Sequence, residues 1–108
     1  MKQYESVSLD EERISDVEIC QNFATITDMI EQSISEGWLP ERNKMYIEDI
    51  KDIAIRQKRF NDAGDHINTI MSYVKDNEMK APTEALTRRL LAKLGELQTK
   101  LQKINKNN

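Results

Sequence analysis

The chain has 108 residues, which is room for one domain and little else. Glycine (3), proline (2) and aromatic residues (6%) are scarce while charged residues reach 32%, a mix that argues against a turn-rich β fold and suits amphipathic helices around a modest core. One cysteine, Cys20, excludes an internal disulfide. With no apolar run near the roughly 20 residues of a membrane span and no apolar stretch in the opening Met1-Lys2-Gln3-Tyr4-Glu5, a cytoplasmic setting away from membranes is expected.

The net charge of −3 hides a gradient. Residues 1–40 carry nine acidic and two basic side chains, residues 41–77 seven of each, and residues 78–108 three acidic and seven basic. A basic end can serve nucleic acid. It can also pair with an acidic helix of the same bundle, which is the plainer reading.

Residues 1–9 show no sustained period and read as a flexible arm. Two capping boxes follow, Ser8-x-x-Glu11 and Ser15-x-x-Glu18, in which a hydroxyl accepts an orphan amide while the glutamate reaches back. They predict a helix over about 10–36. Its apolar face is Ile19, Phe23, Ile26, Ile30 and Ile34, with Val17, Cys20 and Met29 alongside. Cys20, set among acidic residues, reads as a buried small hydrophobe rather than an activated thiol. Gly37 predicts the helix end and Pro40 the start of the next. Between them, Trp38 reads as a plug over the core or, alternatively, as an exposed anchor for a partner.

The strongest pattern lies in residues 41–77. Tyr46, Ile50, Ile53, Gln57, Phe60, Gly64, Ile67, Met71 and Val74 recur at alternating spacings of three and four without a slip. Heptads in continuous register predict one long, coiled-coil-like helix of about 55 Å. Asn61-Asp62-Ala63-Gly64-Asp65 is its weak point, because glycine, asparagine and aspartate disfavour helix interiors. Ile47, Ala54, Ala63 and Ile70 widen the stripe and predict burial on two sides. Gln57 sets register as a polar seam residue or lies at an edge in water. Ile55 and Tyr73, off the seam, are candidates for a second contact surface.

Residues 75–82 read as a connection, and Thr83 as the cap of a last helix over 83–104 with the seam Leu86, Leu90, Leu94, Leu97, Leu101 and Ile104. Residues 105–108 are expected to fray. Two short connections predict an all-α antiparallel three-helix bundle, its first and last helices parallel and its extended central helix outrunning both. An overhanging apolar stripe of that kind calls for a partner, and a homodimer would supply one.

The candidate chemistry is thin. Asp62 and His66 share a helix face, but a third metal ligand is not evident, so a solvated polar patch is favoured and no metal or cofactor is expected. Glu48, Asp49 and Asp52 form a carboxylate cluster with Lys44, Lys51 and Arg56 at pairing distance along a helix. Phosphate-loop, nucleophile-elbow and zinc-ligand spacings are absent, which disfavours an enzyme. A non-enzymatic protein–protein interaction module, such as an adaptor, assembly chaperone or inhibitor, is the leading expectation. Its expected contact residues are Ile67, Met71, Val74, Leu94, Leu97, Leu101 and Trp38. The second reading is a nucleic-acid-binding regulator using Arg88, Arg89, Lys93, Lys100 and Lys103, against which stand the acidic pI of about 5.2 and the lack of interleaved aromatics.

Overall fold

The computed structural model describes the backbone of residues 2–107 and the side chains of residues 17–104. All regular structure among them is helical. Four α-helices follow one another: α1 (Lys2–Ser35), α2 (Arg42–Lys51), α3 (Phe60–Asp76) and α4 (Glu84–Asn107). A π-helical turn (Asp52–Arg56) extends α2, and a 3-10 turn (Glu78–Lys80) follows α3.

α1 begins at Lys2, ahead of both capping boxes, so Ser8 and Ser15 lie within the helix rather than at its start. The arm expected at 1–9 and the tail expected at 105–108 lie outside the described side chains. At its other end α1 stops as its sequence predicts. Gly37 adopts φ +85°, its amide donates to the Ile34 carbonyl (2.9 Å), and the Trp38 amide donates to Ser33 (3.4 Å). These paired bonds satisfy carbonyls that the helix end would leave open and turn Trp38 inward, where it is 2% exposed.

The predicted central helix is not continuous. After the π-helical turn the chain reverses at Gln57-Lys58-Arg59. Lys58 takes φ +58°, the Arg59 amide reaches back to the Ile53 carbonyl (3.0 Å), and the Ala63 amide takes the Arg59 carbonyl (3.0 Å) to begin α3. Arg59 also pairs with Asp62 in the first turn, where a carboxylate suits the helix dipole. The break therefore lies a few residues before the predicted weak point, and Gly64 sits inside α3. Ile53 and Phe60 flank the reversal one full heptad apart, so the spacing stays in phase across a turn it cannot register.

Neighbouring helices run antiparallel throughout. Glu31 of α1 meets Lys44 of α2 at 3.6 Å across the 36–41 connection. Tyr46 stacks on Tyr73 (centroids 5.9 Å apart) while Ile53 shares a cleft with His66, so numbers rise along α2 as they fall along α3. Gly64 lies against Gln98 and Gln102, and Gln98 Nε2 donates to its carbonyl (2.7 Å). α4 then closes onto α1, with Lys100 3.2 Å from Glu18. The result is an up-down-up-down arrangement of four helices. The first and last are antiparallel, not parallel as a three-helix bundle required.

The core lies between them. Ile19, Phe23, Ile26 and Ile30 of α1, Ile47 and Ala54, Ala63, Ile67, Ile70 and Val74 of α3, and Leu94, Leu97 and Leu101 of α4 are fully buried. Each large aliphatic side chain so placed contributes on the order of 1.5–3 kcal/mol. By folding back, α2 and α3 cover one another's stripes, so the predicted overhang does not exist. Cys20 is a second correction: one position past the buried Ile19, it is exposed on the outer face of α1. The molecule is elongated, 54 × 25 × 18 Å, because α1 alone is about 51 Å long at 1.5 Å per residue.

Candidate functional site

The expected partner-binding residues are brought together, but inside. Ile67, Val74, Leu94, Leu97 and Leu101 have no exposed surface, Met71 packs partly buried against them, and Trp38 is buried at the α1–α2 corner. In the closed monomer they are core, and a partner reaches them only by opening the bundle. Ile55 and Tyr73 are likewise partly buried against that core rather than forming a separate surface.

The basic residues of α4 do not form a free track. Lys100 lies between Glu18 and Glu96 (3.2 and 3.4 Å), and Lys93 pairs with Glu96 (3.6 Å). Arg88, Arg89 and Lys103 are exposed. Phosphate binding by Lys93 or Lys100 would first have to break these pairs, and Glu96 would repel the phosphates.

A different site arises from the reversal at Gln57. Laying α2 and its π-helical turn against α3 leaves a cleft of about 550 Å³ lined by Tyr46, Asp49, Ile50, Asp52, Ile53, Gln57, His66 and Thr69. Its floor is apolar, built from the buried Ile50 and the partly buried Ile53. Its rim is acidic and polar. The π-helical turn is wider than an α turn and its Asp52 is held in place: Gln57 Nε2 donates to Oδ2 (2.9 Å), and Arg56 Nε lies 3.4 Å from Oδ1. Asp49 stands one turn earlier on the same side.

Tyr46 occupies one end of the cleft. It stacks on Tyr73, over which the Arg42 guanidinium lies 5.7 Å from the ring centre. Arg42 donates to the Tyr73 hydroxyl (3.4 Å). That hydrogen bond, with the phenol oxygens of Tyr73 and Tyr46 close by, raises the Arg42 pKa above its already high ordinary value. The guanidinium is thus a permanent cation bracing the tyrosine pair.

Asp62 and His66, singled out together in the sequence, part company. Asp62 turns to Arg59, whereas His66 lines the cleft. Among the described residues no group of three or more histidine, cysteine or acidic side chains is placed to hold a metal ion. No described helix is long and apolar enough to cross a membrane.

Sequence reasoning missed the cleft because its two walls are one segment read as continuous. The available signal was Arg56-Gln57-Lys58-Arg59, four polar residues in a row just where the apolar seam carries glutamine. Fold and cleft together define an all-helical protein with a half-apolar, acid-rimmed groove between two antiparallel helices. No protein-family model, curated protein or solved structure matches the chain.

Proposed function

We propose that this protein is a non-enzymatic interaction module that docks a basic segment of a partner protein in the α2–α3 cleft. The observation that carries the reading is the pairing of an apolar floor, Ile50 and Ile53, with Asp49 and Asp52 on the rim. Its volume falls within the range of about 300–1,000 Å³ that suits specific pockets, enough to seat one or two side chains of a docked helix. A lysine or arginine stem can lie along Ile53 with its charge at Asp49, or in place of the exposed Arg56 at Asp52, and the Tyr46 face offers a second cation site. The alternative nucleic-acid reading rests on α4, where Lys93 and Lys100 are already paired with Glu96 and Glu18, and is the less supported one.

A lysine-rich amphipathic helical peptide, titrated into the labelled protein and followed by amide chemical shifts, tests it. Saturable shifts confined to Tyr46, Ile53, His66 and Thr69, abolished by Asp49→Lys, would support cleft docking. Shifts spread over α4, or none for a basic peptide, would remove it.

A further inference from the structure

We infer that the Gln57-Lys58-Arg59 turn is a hinge through which two copies of this chain exchange halves, giving a two-fold dimer in which α2 and α3 run as one continuous helix. The inference stands apart from the docking reading and rests on four features of the turn.

First, the two sides of the turn share one apolar register. Ile50, Ile53, Phe60, Ile67 and Val74 all face the core in the folded-back chain, and all fall on one stripe if residues 42–76 form a single helix. Straightening the turn keeps every one of them on a face that can be covered.

Second, the closed turn is strained. Lys58 is the one non-glycine residue with positive φ among the described residues, at +58°. A side chain with a Cβ pays for that conformation, and a continuous helix removes the cost.

Third, opening the turn breaks almost nothing. Gln57, Lys58 and Arg59 are exposed. Their polar contacts are local: Gln57 with Asp52, the Arg59 amide with the Ile53 carbonyl, and Arg59 with Gln57 and Asp62, and a straight helix replaces the backbone bonds among them with its own. The Arg59–Asp62 and Arg56–Asp52 pairs have separations that a straight helix also brings together.

Fourth, α2 and α3 pair antiparallel. The same pairing made between copies places α2 of each against α3 of the other, and an antiparallel pair of identical long helices has a two-fold axis at its midpoint, the hinge. The α1–α2 and α3–α4 hairpins move as intact units. The Glu18–Lys100 pair, which joins the two halves within one chain, re-forms between chains.

The same arrangement brings Arg56, Lys58 and Arg59 of both copies close to the axis. Their mutual repulsion opposes the dimer, so added salt should favour it.

The test compares Lys58→Ala with Lys58→Gly in the full chain. Each is unfolded in urea, refolded over a series of concentrations, and sized by light scattering. Alanine suits the open helix and glycine the closed turn. The two dimer dissociation constants should differ roughly thirtyfold per hinge, and so roughly a thousandfold for two. Exchange is read independently by refolding a mixture of light and heavy-isotope chains and joining Glu18 to Lys100 with a zero-length carbodiimide cross-link. Mixed-isotope 18–100 cross-links in the dimer fraction, with Lys58→Ala more dimeric than Lys58→Gly, are the expected result. A dimer carrying only same-isotope links, equal association of the two variants, or no dimer for Lys58→Ala would each overturn the proposal.

Discussion

Replacing Gly64 with alanine should stabilise this protein by about 1 kcal/mol. Gly64 is buried in α3 where that helix packs on α4, and substitution at a buried glycine between helices is ordinarily expected to push them apart. Here it should not. A methyl group built at Gly64 meets only Gln102 Cγ at 3.8 Å and Gln98 Cγ at 3.9 Å, which is ordinary van der Waals contact with two flexible side chains. The backbone is helical with negative φ, so the gain is the helix propensity difference between the two residues. For a chain of 108 residues that corresponds to a rise in melting temperature of about 4 °C. Gly95 in α4 has nothing within 4 Å of its own added methyl, so Gly95→Ala is the unobstructed control and should gain a similar amount. Urea unfolding followed by far-ultraviolet circular dichroism, with an unchanged denaturant slope, is the assay. If Gly95→Ala raises the midpoint and Gly64→Ala lowers it, α3 and α4 need the bare backbone at Gly64, and the packing argument is wrong.

Leu97→Asp should abolish folding of the monomer rather than merely loosen an interface. It removes a fully buried leucine, at about 2–5 kcal/mol, and leaves an unpaired charge in its place, at about 3–5 kcal/mol more, which together are comparable with a total stability of about 5–15 kcal/mol; a folded variant by circular dichroism would contradict that. Cys20 should react with an aromatic disulfide reagent in the native protein as fast as in mild urea, whereas protection that disappears on unfolding would mean α1 is covered there. Lys100→Glu sets a third carboxylate beside Glu18 and Glu96. At these partly exposed positions the loss should stay near 1 kcal/mol and shrink as salt is added; a much larger, salt-independent loss would show the pair to be buried.

The functional question turns on how a one-dimensional pattern is folded back. The apolar spacing of residues 41–77 correctly marked which side chains face a core: Ile50, Phe60, Ile67 and Val74 do so, and Ile47, Ala54, Ala63 and Ile70, read as a widening of the stripe, are buried as deeply as any. The exception, Gln57, is the residue at which the chain turns. Had the reversal consumed any number of residues other than a heptad, the phase would have slipped and shown the break. The acidic-to-basic gradient was also legible, and one of its consequences, the Glu18–Lys100 pair between α1 and α4, is present.

From the sequence alone came the helical class, the Gly37 stop, the Thr83 cap and the main apolar stripe of each helix, because each depends on local geometry or on the period with which apolar side chains recur. Thr83 Oγ1 indeed accepts the Leu86 amide (3.4 Å). The direction of each helix, the exposure of Cys20 and the α2–α3 cleft were decided only by the tertiary structure. A period of three and four records which face of a helix is apolar and nothing about whether that face meets a second molecule, another helix, or the other half of the same segment. That choice rests on the balance between a strained Lys58 with its few exposed polar neighbours and the burial that folding back achieves within one chain.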